Sequence, residues 1–246
     1  MKTSTKKRKE MYDHVTGHTY ENTRYGTPHN ELYRQMRNEL LASVINEQIN
    51  GNSQANLLEI GCGTGLTLAY LTKRLGKYEL YGLDFSHTML EQANQKVDTS
   101  EEQFNLVQGD SFELPFRDNS FDVVYNTRFI HQFTHNNKIS IYKEIMRVLK
   151  PGGIVISEFY NRHHRWFLYL RGTRNYPVDE QCPTQDEIRE INGDSYTKLP
   201  IRMVGLRFIH NLFGANVLRA ITPLAGKPFI KFLLEEYFVV TKKSPT

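Results

Sequence analysis

One stretch of the chain, residues 57–65, limits the possible folds more than any other. It reads Leu-Leu-Glu-Ile-Gly-Cys-Gly-Thr-Gly, and residues 66–75 continue with the apolar spacing of a helix. This order predicts a buried strand, a tight turn and the start of a helix. Gly61, Gly63 and Gly65 have no Cβ atoms, so the turn is predicted to lie directly against a ligand of nucleotide type.

A carboxylate follows this turn at an informative spacing. Asp84 comes nineteen residues after Gly65, at the end of a second apolar run over residues 78–83. At the end of a neighbouring strand, such a carboxylate is placed to accept hydrogen bonds from both hydroxyls of a ribose. The turn and Asp84 together predict a nucleoside-binding site.

Strands and helices alternate along the rest of the chain. Further strands are predicted at 104–108, 121–125 and 154–157, with a turn at 151–153, and helices at about 30–50, 86–97 and 139–149. A sixth strand within 199–208 and a last, antiparallel strand over 236–241 complete the pattern. The alternation predicts an α/β fold with a doubly wound, mostly parallel, seven-stranded sheet and helices on both of its faces.

Polar residues and a glycine mark the carboxyl ends of the first four strands. They are Glu59, Gly61, Asp84, Asp110, Ser111 and Asn126. Because the carboxyl ends of parallel strands meet at one edge of a sheet, a single ligand is able to contact all of them. Each residue taken alone is also explained as the cap of a turn, but their coincidence favours a shared site.

Composition limits the class of protein. The 246 residues are 39% hydrophobic and 24% charged, which suits a single folded domain. No apolar run approaches the length of a membrane span and no apolar core marks a secretory signal, so we expect a cytoplasmic protein. The two cysteines, Cys62 and Cys182, lack zinc spacing, so no metal site is expected.

The chain is predicted to be one domain over residues 31–246, preceded by a basic tail and a flap over residues 1–30. Five basic residues lie within residues 2–9, and the net charge is +4. We interpret the basic run as a solvated tail, with contact to nucleic acid or anionic lipid as the alternative. The aromatic and polar residues at 12–30 are equally consistent with a flap over the site and with an anchor for the first helix.

Five ordered motifs carry a resemblance to a known family. They are Glu-Ile-Gly-Cys-Gly-Thr-Gly at 59–65, Gly-Leu-Asp-Phe-Ser at 82–86, Gly-Asp-Ser-Phe-Glu-Leu-Pro-Phe at 109–116, Ser-Phe-Asp-Val-Val-Tyr-Asn at 120–126 and Arg-Val-Leu-Lys-Pro-Gly-Gly at 147–153. Over residues 55–160 the chain resembles the class I S-adenosylmethionine-dependent methyltransferases, in the small-molecule branch that includes quinone-biosynthesis enzymes. The resemblance implies a Rossmann-like sheet, S-adenosylmethionine as cofactor and S-adenosylhomocysteine as product. It does not specify the methyl acceptor.

The resemblance also implies which residues bind the cofactor. They are Tyr20, Arg24, Glu59, Gly61, Cys62, Gly63, Gly65, Asp84, Phe85, Met89, Asp110, Ser111 and Asn126. Acidic and amide groups suit a ribose diol, an ammonium and a sulfonium better than they suit the pyrophosphate of a dinucleotide. The dinucleotide fingerprint also requires a glycine where this chain has Leu66.

Within this set, the resemblance gives each part of the cofactor its own residues. The methionine part is expected against Gly61 and Gly63, the ribose on Asp84, and the adenine between Phe85 and Met89 with its amino edge at Asp110 and Ser111. The sulfonium and the methionine ammonium are expected near Asn126, and the methionine carboxylate near Tyr20 and Arg24. Methyl transfer needs a general base only where the acceptor must lose a proton. His131, after the fourth strand, is the candidate base, with a structural role in its turn as the alternative.

The last third of the chain departs from the shared pattern. His163 and His164, with Tyr160, Arg162 and Trp166, are candidates for the acceptor pocket. A capping box at Thr184 and Glu187 predicts a helix that ends at Gly193. The whole acceptor-side insertion, about residues 160–234, is expected to be largely helical, and its apolar content suits an apolar acceptor or ordinary core packing.

The sequence therefore predicts an enzyme that transfers a methyl group to an oxygen, carbon or nitrogen atom of a small molecule. Two alternatives stay open. The first is a methyltransferase that acts on RNA or protein, recruited by the basic tail, although no nucleic-acid partner is expected. The second is a non-catalytic protein that keeps the same fold and binds the cofactor.

Overall fold

The structure is a computed structural model that describes residues 21–22, 25–49, 54–76, 78–98, 103–163, 182–203 and 234–245. Five longer helices and seven strands occur in these ranges. In chain order they are α1 Pro28–Ile49, β1 Asn56–Ile60, α2 Leu66–Leu75, β2 Glu79–Asp84, α3 His87–Asp98, β3 Asn105–Gln108, β4 Phe121–Asn126, α4 His135–Val148, β5 Leu149–Tyr160, α5 Gln185–Asn192, β6 Tyr196–Met203 and β7 Leu234–Lys242. A short 3₁₀ helix, Ile130–Gln132, lies between β4 and α4.

The seven strands form one sheet in the order β3-β2-β1-β4-β5-β7-β6. Strands β1 to β5 pair in parallel, while β7 runs antiparallel to both β5 and β6. The predicted α/β fold, mostly parallel with an antiparallel last strand, is confirmed. The strand order reverses direction between β1 and β4, and a crevice opens beyond the carboxyl ends at such a switch point.

The core lies in two layers, one on each face of the sheet. Successive residues of β1 serve opposite layers, because side chains alternate along a strand. Leu57 packs in the layer that includes Leu41 and Ile45 of α1. Leu58 packs in the layer that includes Ile141 and Ile145 of α4. The helices therefore hold the sheet from both sides and leave its carboxyl edge open.

The predicted turn at residues 151–153 is wrong, because β5 begins at Leu149 and runs through Gly152 and Gly153. The backbone of these glycines is paired: Gly152 N–H donates to the carbonyl of Lys243 at 3.1 Å, and Lys243 N–H donates to the carbonyl of Gly153 at 2.8 Å. A register shift between Phe121 and Val123 admits the left-handed Gly152, with φ 76°. The segment is part of a strand, because β4 and the end of the chain at β7 supply its pairing partners. The strand is irregular at the register shift.

The capping box is confirmed, since the Glu187 N–H donates to Thr184 Oγ1 and the Thr184 N–H donates to the Glu187 carboxylate. Helix α5 follows it and ends before Gly193. The part of the 160–234 insertion that the structure describes contains strand β6 as well as this helix. The rest of the insertion and the tail, including Tyr20, Arg24, His164 and Trp166, lie outside the described residues. Among the helices described, none has the length and apolarity needed to cross a membrane.

Candidate functional site

A cavity of about 1030 Å³, measured with its open mouth, lies beyond the carboxyl ends of the central strands. It brings together nine of the residues that the sequence predicts for the site. They are Glu59, Gly61, Cys62, Gly63, Asp84, Phe85, Met89, Asp110 and Ser111. Residues from three strand ends therefore surround one space, as expected for a ligand site at the switch point.

Three other predicted residues lie away from the cavity wall. Gly65 precedes α2, and a Cβ atom there would come within 2.9 Å of the Ala93 side chain, so its role is close packing of α2 on α3. Asn126 is fully buried and donates from Nδ2 to Ser157 Oγ at 2.7 Å. His131 is buried with its ring 4.4 Å from that of Tyr160, centroid to centroid.

Gly61 and Gly63 are required for different reasons. A Cβ atom on Gly61 would come within 2.2 Å of the Phe129 ring, so this glycine admits an aromatic side chain. A Cβ atom on Gly63 would meet nothing within 4 Å, so this glycine faces open space in the cavity. Both have positive φ, at 72° and 54°, which favours glycine. The turn therefore presents bare backbone to a ligand at Gly63.

Asp84 is held rigidly at the end of β2. Its Oδ2 accepts from Gly63 N–H at 2.8 Å, and its Oδ1 accepts from Ser86 N–H at 2.9 Å. Each carboxylate oxygen has two lone pairs and is able to accept more than one hydrogen bond. Asp84 thus fixes the turn and places a carboxylate on the cavity wall.

Aromatic side chains form part of the cavity wall, and the sequence reasoning largely missed them. Phe112, Phe129 and Phe133 line it together with the predicted Phe85 and Met89. The rings of Phe112 and Phe133 meet edge to face with centroids 5.7 Å apart, and those of Phe129 and Phe133 are 4.9 Å apart. Their positions just after β3 and β4 were the available signal. A planar, apolar ring system fits this side of the cavity.

Glu59 is the buried carboxyl group of the site. Its Oε1 accepts from Thr127 Oγ1 at 3.1 Å, while its buried Oε2 makes no hydrogen bond of normal geometry. The hydroxyl of Tyr125 lies near enough to influence the pKa of Glu59. Burial raises the pKa of Glu59 to about 8, against the opposing influence of Arg37. An unpartnered oxygen on a cavity wall fits a cationic group, because a cation would favour the charged carboxylate.

A network of charged residues next to the cavity was also missed. Buried Arg37 of α1 lies 3.6 Å from Glu158 Oε2, and the same oxygen accepts from the Arg128 N–H at 3.2 Å. The Arg128 guanidinium lies 3.6 Å from Glu236 Oε1. These four residues come from separate elements, so no local motif links them. The only signal was an acidic residue, Glu158, within the apolar strand β5.

Comparison with known proteins agrees with this geometry. Residues 58–157 match the family described as a methyltransferase domain. Curated relatives include a demethylmenaquinone methyltransferase of Staphylococcus aureus strain MRSA252, which is 43% identical over 103 residues. Residues 58–157 of the chain are thus similar to a methyltransferase domain. The match to this relative spans 40% of each protein, so the methyltransferase domain is shared but most of the relative's length is not matched.

Solved structures share the fold of this methyltransferase domain over a longer stretch. The PH0226 protein of Pyrococcus horikoshii OT3 gives a TM-score of 0.58 at 20% identity, over 86% of this chain and 91% of that one. A SAM-dependent methyltransferase of Aquifex aeolicus gives 0.53 at 19% identity, over 81% and 87%. The [4+2]-cyclase SpnF gives 0.58 at 16% identity, over 85% and 81%. Since one of these proteins is a cyclase, the fold by itself does not determine the reaction.

Proposed function

We propose that this protein binds S-adenosylmethionine in the cavity and transfers its methyl group to a small molecule, leaving S-adenosylhomocysteine. The observation that carries the proposal is the set of groups on the wall. Bare backbone at Gly63, a fixed carboxylate at Asp84 and a buried carboxyl at Glu59 surround one space beside an aromatic surface. The family of residues 58–157 supports the same cofactor.

Each part of the cofactor has a suitable group on this wall. The ribose hydroxyls would donate to Asp84, and the adenine would lie between Phe85 and Met89 and the facing phenylalanines. Asp110 and Ser111 would bind the edge of the base. Asp110 Oδ1 already accepts from Phe112 N–H at 3.0 Å, which fixes the carboxylate at the end of β3. Glu59 would receive the ammonium group, because its Oε2 has no other partner.

The protein's own contribution is binding, orientation and exclusion of water. The bound cofactor supplies an activated methyl group on its sulfonium, so alignment of the acceptor accounts for much of the rate. The aromatic side of the cavity shields this region from solvent, which strengthens the electrostatic contacts inside. We assign no general base. The ring of His131 packs at a tilt against that of Tyr160, away from the cavity wall, which favours the structural role for this residue.

For the acceptor, we propose a small molecule with an aromatic or quinol ring. The support is the demethylmenaquinone methyltransferase among the relatives, which shares 103 aligned residues with this chain. The residues expected to form most of the acceptor pocket, about 164–181 and 204–233, lie outside the described part of the chain. Reduced demethylmenaquinone with a short side chain is therefore the first acceptor to test.

The test combines binding with turnover. Calorimetry should show that the protein binds S-adenosylhomocysteine, and labelled S-adenosylmethionine should then pass its methyl group to the quinol in preference to RNA or to a protein extract. Absence of cofactor binding would contradict the proposal at its base. Binding without transfer to any acceptor in a pool of quinols and phenols would support a non-catalytic protein of the same fold.

A further inference from the structure

We propose that Arg128 binds the carboxylate of an amino-acid group in the cavity, beside Glu59, which receives the ammonium of the same group. This inference rests on the proposed function, since the methionine end of S-adenosylmethionine supplies such a group. It differs from the expectation of the family resemblance, which places this carboxylate near Tyr20 and Arg24. Arg128 would then determine whether the cavity distinguishes a complete amino acid from a simple amine.

The backbone holds Arg128 in an unusual conformation. Its φ is 52°, a left-handed value that costs energy in a residue other than glycine. Two contacts fix this shape: the Arg128 N–H donates to Glu158 Oε2 at 3.2 Å, and its carbonyl accepts from Gln132 Nε2 at 2.9 Å. Strained backbone that is held from both sides occurs often at ligand sites. Here it sets the position from which the Arg128 side chain leaves the end of β4.

Charge on the cavity wall makes Arg128 distinctive. The wall carries three acidic residues, Glu59, Asp84 and Asp110, and among its described residues Arg128 is the single Arg or Lys. Arg37 is near but not on the wall, because Glu158, Thr67 and Asn38 hold its guanidinium inside the protein. A carboxylate that enters this cavity therefore has one described cationic partner.

The guanidinium of Arg128 has donors to spare. Its Nε is buried without a hydrogen-bond partner among the described residues, and its Nη2 lies 3.6 Å from Glu236 Oε1, beyond hydrogen-bond distance. A guanidinium has five N–H donors in a planar array that matches two carboxylate oxygens. Burial alone would lower the pKa of Arg128, but Glu236 and then Glu158 outweigh it and raise the pKa. The group therefore stays charged and available to a carboxylate.

Both charged groups of this subsite lie on the wall of the same cavity. Thr127, which also lines the cavity, donates from Oγ1 to Glu59 Oε1 at 3.1 Å and directly precedes Arg128 in the chain. The ammonium and carboxylate of an amino acid share one carbon atom, so they need an anionic and a cationic group in one site. The cavity wall supplies the anionic group at Glu59 and the cationic group at Arg128.

The experiment uses two ligands that differ in the carboxylate alone, S-adenosylmethionine and its decarboxylated analogue. Their affinities are measured by calorimetry for the wild-type chain, Arg128→Gln and Arg128→Lys, with Arg189→Gln as control. Arg189 lies on helix α5 and pairs with exposed Asp186 and Asp194, so its loss removes an equal charge away from the cavity. Thermal melting of each variant shows whether the fold is retained.

We expect Arg128→Gln to bind S-adenosylmethionine at least about tenfold more weakly, because a charged hydrogen bond is lost. The decarboxylated ligand should bind this variant as well as it binds the wild type, or slightly better, since a cation near a cationic ligand is removed. Arg128→Lys should retain part of the affinity, because it keeps the charge but not the fork of donors. Arg189→Gln should bind both ligands normally.

Other outcomes overturn the proposal. If Arg128→Gln weakens the binding of both ligands equally, or of neither, Arg128 does not contact the carboxylate. If Arg24→Gln no longer distinguishes S-adenosylmethionine from its decarboxylated analogue, while Arg128→Gln still does, the carboxylate would be assigned to the N-terminal segment. An effect of Arg128→Gln on the KM of the acceptor alone would assign Arg128 to the acceptor. If the wild type binds neither ligand, the proposed function itself fails, which is a separate result.

Discussion

At the scale of single residues, the site depends on groups that are costly to bury without a ligand. Glu59 has one oxygen that accepts a hydrogen bond from Thr127 and one that makes none of normal geometry. The buried Nε of Arg128 also makes no hydrogen bond. Buried polar atoms of this kind call for an explanation, and on a cavity wall a ligand is able to complete their hydrogen bonding. The ligand-free wall therefore carries an energetic cost that the bound cofactor would remove.

Glu59 should release a proton when the cofactor binds. Its pKa is about 8 in the ligand-free protein, so at pH 7 the group is largely protonated. An ammonium group beside it would lower this pKa and drive off about one proton per ligand bound. Calorimetry at pH 7 in two buffers of different ionisation enthalpy measures this proton directly, and affinity should increase as pH rises from 6 towards 8, below the pH at which the ligand's own ammonium loses its proton. Glu59→Gln should bind more weakly and release none; an unchanged proton count in this variant would exclude Glu59 as the source.

Gly63 should tolerate a methyl group in the ligand-free protein but not in the complex. A Cβ atom there enters open space in the cavity, which the cofactor would fill. Gly152 is a matched control, because it also has a positive φ, of 76°, and has only the end of Lys242 at 4.0 Å. Gly63→Ala and Gly152→Ala should both lower the melting temperature modestly, since each strains the backbone.

Calorimetry should then separate the two glycine variants. We expect S-adenosylhomocysteine to bind Gly63→Ala at least about tenfold more weakly and to bind Gly152→Ala normally, because steric exclusion acts only where ligand and side chain meet. Equal affinity in both variants would mean that the turn does not contact the ligand.

At the scale of elements, the site depends on loops that are fixed by helices away from it. The segment after β3 carries Asp110 and Ser111, and a clamp on α4 holds its far end. Arg147 donates to the carbonyls of Phe116 and Leu114 at 2.8 and 2.9 Å, and Glu144 accepts from the Leu114 N–H at 2.8 Å. Helix α4 thereby positions the part of the cavity wall that carries Asp110 and Ser111, although no residue of α4 lines the cavity.

Loss of this clamp should affect both stability and cofactor binding. Arg147→Met leaves two carbonyls and the Glu144 carboxylate without their donor, so we expect a loss of about 1–3 kcal/mol in the free energy of unfolding. Affinity for S-adenosylhomocysteine should decrease severalfold, because Asp110 becomes less ordered. Urea denaturation and calorimetry measure these effects, with Arg189→Met as the control for removal of an arginine. A variant that loses stability but keeps full affinity would show that the clamp does not position Asp110.

At the scale of the whole molecule, the sequence predicted the sheet and the glycine turn because both depend on local patterns. Apolar periodicity and strand-end polarity also placed Asp84 and Asp110 at one edge. Position at a strand end did not predict the direction in which a side chain points. Asn126, for example, faces Ser157 instead of the cavity. The network of Arg37, Arg128, Glu158 and Glu236 could not be predicted, since pairing between distant elements leaves no local signal.

Buried carboxyl groups should make the whole protein less stable as pH rises, whereas paired surface carboxylates have the opposite effect. Burial raises the pKa of Glu59 to about 8 and also raises that of Glu158, against the opposing influence of Arg37 on both groups. The groups around Glu59 include Asp84 and Cys62 as well as Arg37. A carboxyl whose pKa is higher in the folded state binds protons more tightly there than in the unfolded chain. Its contribution to stability is therefore present at low pH, falls as pH rises from about 4.5 to about 8, and is constant above that.

The Glu59→Gln variant isolates this effect. Its free energy of unfolding, relative to that of the wild type, should increase steadily between pH 5 and pH 8, by on the order of 4 kcal/mol, and reach a plateau where the wild-type carboxylate is ionised. Urea denaturation at each pH measures the difference, and Glu91→Gln, an exposed glutamate of α3, serves as the control. A difference that does not change with pH would show that Glu59 titrates normally. Ligand binding should then reverse the order of stability, since a bound ammonium favours the charged carboxylate of the wild type over the neutral amide of the variant.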